Sequence, residues 1–105
     1  QLIKIYQKVF DELLPFVEFL WDNSLGWLIS PLLLTSLLES IIKLNSDKDA
    51  DLEFYKKRLM ERISVLLIRL YNYQSAGNMN TELVNNKIDT MIDILESLKT
   101  ELEEL

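Results

Sequence analysis

Apolar residues recur along the last quarter of the chain at alternating spacings of four and three. The positions are Val84, Ile88, Met91, Leu95, Leu98, Leu102 and Leu105. Residues at these spacings lie on one face of a helix, so the alternation predicts a helix over 81–105 that buries a single apolar stripe. Ile92 and Ile94 widen the stripe in the middle. Towards the end it narrows to the width of a coiled-coil contact.

The preceding segment, residues 51–76, repeats the heptad spacing and predicts a second long helix. Its stripe consists of Leu52, Leu59, Ile63, Leu66, Leu70 and Tyr73. The intervening residues suit a turn between two helices. Gly77 fits the left-handed position after a helix end, and Asn80 or Thr81 fits the cap of the next helix. The C-terminal half is therefore predicted to be a helical hairpin of coiled-coil character.

The middle of the helix predicted over 51–76 is apolar almost all round, from Ile63 to Tyr71. A helix with one buried face does not need Val65 and Ile68 on its opposite side. We therefore expect these two residues and Tyr71 to contact a further helix or a second chain.

The first segment, residues 1–22, predicts a helix with two apolar stripes. One stripe is Leu2, Tyr6, Val9, Leu13, Phe16 and Leu20, and the other is Ile3, Phe10, Leu14, Val17 and Trp21. A helix with two apolar stripes is expected to contact other helices on two of its sides. Pro15 lies within the segment, where proline removes a backbone hydrogen bond and crowds the preceding turn. We expect a kink or break near residues 11–14.

The connector over residues 23–30 contains Trp27 and is followed by a further predicted helix. Ser30 and Pro31 resemble an N-cap followed by proline at the first helical position, so we expect a helix over 31–45. Two large aromatic side chains, Trp21 and Trp27, lie close together around this connector. Such residues often anchor a partner protein, so both are candidate interaction residues.

These elements predict an all-α fold, an antiparallel up-down four-helix bundle with helices at about 1–22, 31–45, 51–76 and 81–105. No stretch rich in Pro, Gly or Ser divides the chain, so residues 1–105 are expected to form a single domain. The chain begins at Gln1 and ends within a heptad. We therefore expect it to be an excerpt of a longer protein.

Composition narrows the chemistry that this chain can perform. It contains no His and no Cys, which removes the commonest metal ligands and the usual general base. Phosphate-binding glycine loops are also missing. We therefore expect no enzymatic activity, no cofactor, no metal site and no small-molecule substrate. The net charge of −6 opposes general binding to nucleic acid.

One basic cluster lies on the helix predicted over 51–76. It consists of Lys56, Lys57, Arg58, Arg62 and Arg69. The three arginines share one side of the helix and could contact phosphates, as in an accessory subunit of a nucleic-acid complex. We favour the alternative, in which they pair with Glu53, Glu61 or the acidic residues of the last helix.

The most apolar segment, residues 13–42, has two interpretations. No Lys or Arg occurs between Lys8 and Lys43, whereas helices at a membrane surface usually carry basic residues. We therefore favour a buried helix pair over a peripheral membrane segment. The sequence shows no signal peptide and no run of about 20 apolar residues. On this basis the cytoplasm is the expected, though untested, compartment.

Taken together, the sequence favours a non-enzymatic protein–protein interaction module, such as an assembly subunit, an adaptor or an inhibitor. It is expected to act through apolar helix surfaces and to form a homo-oligomer or bind a protein partner. The alternative functions are a peripheral membrane protein that uses residues 13–42 and a nucleic-acid accessory subunit that uses the basic cluster.

Overall fold

The computed structural model describes residues 1–76 and 81–105, and across these ranges the chain forms helices and no strands. The helices are α1 (Leu2–Asp22), α2 (Pro31–Ser46), α3 (Leu52–Ser75) and α4 (Glu82–Glu103). A single 3-10 turn, Gly26–Leu28, lies between α1 and α2. The predicted all-α class is confirmed.

Three of the four helices begin at a side chain that accepts a hydrogen bond from the first turn. The Ser30 hydroxyl accepts from the backbone N–H two residues later at 3.2 Å. The Asp51 carboxylate and the Thr81 hydroxyl each accept from the N–H three residues later, at 3.1 and 3.2 Å respectively. These bonds satisfy N–H groups that have no partner within the helix. Ser30 is confirmed as a cap. The predicted roles of Gly77 and Asn80 lie outside the described residues.

Helix α1 continues without a break past Pro15. Of the kink or break predicted near residues 11–14, the break is therefore wrong, and the kink stays a prediction. Leu13 and Phe16, on either side of the proline, are both buried in the core. Their packing holds this part of the chain helical in spite of the hydrogen bond that proline cannot make.

The core is built from the predicted stripes. In α4, six of the seven stripe residues are buried and only Leu105, at the end of the chain, is exposed. The first stripe of α1 is buried along its whole length, from Leu2 to Leu20. In α3 the stripe is buried from Leu59 onwards, whereas Leu52, in the first turn of the helix, is exposed. Burial therefore follows the periodicity except at the helix ends.

Three pairs of helices pack closely: α1 with α2, α1 with α4, and α3 with α4. The pair of α2 with α3 does not pack closely, so the side of the bundle between these two helices is more open than the others. The second stripe of α1 is only partly covered. Ile3, Phe10 and Val17 are half-buried, but Leu14 and Trp21 are exposed. The expected contact on two sides of α1 is thus incomplete.

Candidate functional site

The back of α3 is exposed. Val65, Ile68 and Tyr71 leave 49%, 58% and 45% of their surface accessible. Within residues 1–76 and 81–105 no further helix covers them, although Leu66, Leu67 and Leu70 between them are buried. Apolar side chains at successive turns of one helix therefore face solvent. Contact with a second chain stays a prediction.

Tyr71 also links α3 to α4. Its phenolic hydroxyl donates a hydrogen bond of 2.9 Å to Oε1 of Glu96. This bond to a carboxylate raises the pKa of the Tyr71 hydroxyl above its ordinary value, and partial desolvation adds to the effect. The ring of Tyr71 is thus held at the edge of the exposed apolar back of α3.

Trp21 and Trp27 flank the connector between α1 and α2 and are among the most exposed aromatic residues, at 60% and 61%. The Trp21 ring lies against the backbone of Gly26, where a Cβ atom would approach the ring to 2.9 Å. The Trp27 ring meets the buried Tyr73 ring edge-on, with centroids 5.9 Å apart. Each indole therefore rests on the protein with one side and presents the other to solvent.

The basic cluster divides into two parts. Lys57 is exposed and Lys56 is half-buried, and neither borders a cavity. Arg58, Arg62 and Arg69 all line one cavity of about 390 Å³ between α2 and α3. We call it the α2–α3 cavity. The structure therefore groups the three arginines, as their spacing predicts, and separates them from the lysines.

The ion pairs expected for these arginines do not form. Within the described residues the carboxylate–cation pairs are Lys8 with Glu101 at 2.9 Å and Lys43 with Asp47 at 3.5 Å. Glu61 borders the α2–α3 cavity, but its carboxylate is not within 4 Å of a guanidinium nitrogen. The reason is geometric: α4, which carries more acidic residues than any other helix, packs on the other side of α3.

Arg58 contacts neutral groups instead. Its Nη2 donates to the Ser36 hydroxyl at 3.3 Å, and its guanidinium carbon lies 6.0 Å from the Phe54 ring centroid. Its Nε is buried and has no hydrogen-bond partner. Among the described side chains it is the one buried polar atom left without a partner. Nothing in the residue pattern predicts this unpaired atom, because it depends on how α2 lies beside α3.

Several apolar residues of α2 are exposed, among them Leu38, which its spacing predicts to lie on the packed face of the helix. Leu32, Leu38 and Ile42 each leave more than two-fifths of their surface accessible. Leu38 and Ile42 are four residues apart, which places these two side chains on one side of α2. Together with Leu14 they leave part of the 13–42 segment open, whereas the sequence favoured a buried pair.

Other kinds of site are not seen in the described part of the chain. No group of three or more carboxylates comes together there in an arrangement that could hold a metal ion. None of the helices in residues 1–76 and 81–105 is long and apolar enough to cross a membrane.

Comparison with models of known protein families, with curated proteins and with solved structures finds no match to this chain. Inference about function therefore starts from its own surfaces.

Proposed function

We propose that this protein is a non-enzymatic interaction module that assembles with a second copy of itself through the apolar back of α3. The observation that carries the proposal is the exposure of Val65, Ile68 and Tyr71 beside a fully packed core. Removing such surface from water is favourable by about 25 cal/mol per Å² of apolar area. An assembly subunit, adaptor or inhibitor with a regulatory role needs a surface of this kind and no catalytic group.

The proposed arrangement of the bundle is an antiparallel, up-down order of the four helices. Contacts between the helix ends support it. Lys8 in the first half of α1 pairs with Glu101 at the end of α4. Gln74 near the end of α3 donates to Asp89 near the start of α4 at 2.6 Å. Helix α4 thus runs opposite to both neighbours, and its continuous apolar stripe gives the α3–α4 hairpin a coiled-coil character.

The Trp21 and Trp27 side chains form a second proposed contact region, for a protein partner. Large aromatic residues that are half exposed but fixed on one side lose little conformational freedom on binding. Both indoles meet this description, since Trp21 rests on Gly26 and Trp27 on Tyr73.

Light scattering on a size-exclusion column, over a range of protein concentrations, tests self-assembly. We expect a molar mass above the monomer's 12.4 kDa that falls on dilution. Ile68→Asp should shift the equilibrium towards monomer, because it places a charge in the contact. Leu52→Asp is the matched control: it is equally exposed but lies about 24 Å away along α3.

Two results would overturn the proposal. The first is a monomer of the unsubstituted protein at every concentration. The second is an oligomer whose dissociation responds equally to Ile68→Asp and Leu52→Asp. Circular dichroism of each variant excludes loss of helix as the cause of a change.

A second candidate is peripheral membrane association through residues 13–42, supported by the exposed Leu14, Leu32, Leu38 and Ile42. Co-sedimentation with neutral phospholipid vesicles tests it. Binding that is lost in Leu38→Asp would favour this candidate, and no sedimentation with vesicles would remove it.

A further inference from the structure

The open side of the bundle contains a cavity with an unusual charge balance. Three guanidinium groups line the α2–α3 cavity together with a single carboxylate, that of Glu61. This surplus of positive charge occurs in a chain whose net charge is −6. In the described residues, none of the three arginines has a carboxylate within 4 Å of its guanidinium nitrogens.

The spacing of the arginines along α3 concentrates their charge. Arg58 and Arg62 are one turn apart, about 6 Å along the helix axis, and Arg69 follows two turns later, about 10 Å further on. All three arginines border the same cavity, so their charges act on one site. The guanidinium group presents N–H donors in a fixed plane that matches two oxygens of one phosphate or carboxylate group.

Arg58 is held at the cavity wall by contacts within the protein. Its Nη2 donates to Ser36, and its Nε is buried against the bundle without a partner. Because Nε is closed off from the cavity, Arg58 contributes positive charge to the site rather than a donor from Nε.

The start of α2 adds to the positive electrostatic potential of the α2–α3 cavity. Ser30, Leu32 and Leu33 border the cavity, so the N-terminal end of a 16-residue helix opens towards the arginines. Pro31 has no N–H, and the N–H groups of Leu32 and Leu33 already donate to Ser30. This end therefore contributes only the positive end of the helix dipole, which no acidic residue in the first turn neutralises. The rest of the lining includes Val65 and Leu66, which are apolar.

We propose that the α2–α3 cavity is a binding site for a small molecule that carries an oxyanion, a phosphate or a carboxylate group. Arg62 and Arg69 hold the oxyanion, Arg58 adds its positive charge, and the apolar lining accommodates the remainder of the molecule. The volume of about 390 Å³ falls in the range of sites for small ligands and exceeds what a bare inorganic ion fills. Val65 borders both this site and the proposed self-association surface, so ligand binding is measured in Ile68→Asp as well as in the unsubstituted protein.

A small molecule suits the cavity better than a nucleic acid. A nucleic-acid backbone presents a charge at each nucleotide and requires an extended basic surface. Here the positive charge is confined to one cavity, Glu61 interrupts it, and Lys56 and Lys57 do not border it. The net negative charge of the chain repels a polyanion approaching from solution.

Titration of the full chain, followed by the ¹H–¹⁵N signals of the arginine side chains, tests the site. The probes are inorganic phosphate, pyrophosphate and citrate, with ionic strength held constant by sodium chloride. We expect a saturable shift of the Arg62 or Arg69 Nε–H signal with at least one probe. Preference for pyrophosphate or for citrate then identifies phosphate or carboxylate as the recognised group.

Variants separate a specific site from general charge attraction. Arg62→Gln and Arg69→Gln should each weaken binding about tenfold, as expected for the loss of a charged hydrogen bond. Glu61→Gln should strengthen it, because it removes the one negative charge in the lining. Lys57→Gln changes the chain's charge by the same amount as the arginine variants, lies outside the cavity, and should leave the affinity within about twofold.

Three outcomes would overturn the proposal. The first is the absence of any saturable shift with all three probes. The second is an equal loss of affinity in Lys57→Gln and Arg62→Gln, which would indicate diffuse attraction. The third is tighter, strongly salt-dependent binding of a single-stranded oligonucleotide through the same arginines, which would make the cluster a nucleic-acid contact.

Discussion

The phenolic hydroxyl of Tyr6 donates a hydrogen bond of 2.6 Å to the backbone carbonyl oxygen of Tyr55. This bond joins the N-terminal parts of α1 and α3, between residues 49 apart in sequence. Tyr6 is almost completely buried, with 1% of its surface accessible. Since α1 and α3 pack less closely than α1 with α2, α1 with α4 or α3 with α4, this one hydrogen bond makes a relatively large contribution to their alignment.

Replacing Tyr6 by Phe should therefore lower the free energy of unfolding by about 1 kcal/mol, the usual net value of one buried hydrogen bond. The ring and its packing remain, so no cavity forms. Urea denaturation followed by circular dichroism measures the change. Tyr71→Phe is the control: its hydrogen bond to Glu96 is at the surface, and its effect should be smaller. Equal losses in both variants would contradict a special role for the buried bond.

The same tyrosine predicts a loss of stability at alkaline pH. Burial raises the pKa of the Tyr6 hydroxyl above its ordinary value of 10.0, whereas Ser40 and Arg58 act in the opposite direction and are outweighed. Between the unfolded and the folded pKa, the folded state holds a proton that the unfolded state has released. The contribution is therefore complete below the unfolded pKa and is lost as pH rises through the folded one.

Denaturation midpoints measured from about pH 8 to about pH 11 should fall more steeply for the unsubstituted protein than for Tyr6→Phe. Titration of tyrosine absorbance at 295 nm in both proteins provides the independent check, because Tyr6→Phe removes the component that burial makes ionise above the ordinary pKa. Identical pH profiles for the two proteins would contradict the assignment of this effect to Tyr6.

Sequence periodicity predicted the buried faces accurately, since burial of one face is a local property of each helix. Ile88, Leu95 and Leu102 were assigned to the stripe of α4 and none of them is accessible to solvent. The cap at Ser30 was equally predictable, because capping depends on residues close in sequence. The break expected at Pro15 did not occur, because tertiary packing on both sides of it outweighed the local preference.

The candidate sites were less predictable, because they depend on what covers each face. Spacing placed Arg58, Arg62 and Arg69 on one side of α3 but did not indicate which neighbour would lie there. In the structure that neighbour is the N-terminal half of α2, which carries no carboxylate before Glu39. The expected ion pairs are therefore missing, and the arginines surround a cavity instead.

Leu95 is at the centre of the bundle and provides a test of core packing. It borders a narrow void with Val9 of α1, Leu37 of α2 and Ile63 of α3, so side chains from all four helices meet there. Leu95→Ala enlarges this void and should cost about 2–5 kcal/mol of unfolding free energy. The exposed Leu83, in the same helix, is the matched control, and Leu83→Ala should change stability by less than about 0.5 kcal/mol. Urea denaturation of both variants distinguishes a packed core from a loosely associated set of helices.

The contact of Trp21 with Gly26 predicts a change in fluorescence with little loss of stability. In Gly26→Ala the new Cβ would lie 2.9 Å from the Trp21 ring, so the indole must move. It can swing outwards at little cost because 60% of its surface is already accessible. The chain contains two tryptophans, so a Trp27→Phe background leaves Trp21 as the single reporter.

In that background Gly26→Ala should shift the emission maximum to longer wavelength, since the ring becomes more hydrated, and should lower stability by less than about 1 kcal/mol. If Trp21 is a partner anchor, its displacement also removes the fixed orientation that favours binding. An unchanged spectrum would mean that the ring does not rest on Gly26 in solution. A large destabilisation would instead mean that the connector, rather than the indole, cannot accommodate the added methyl group.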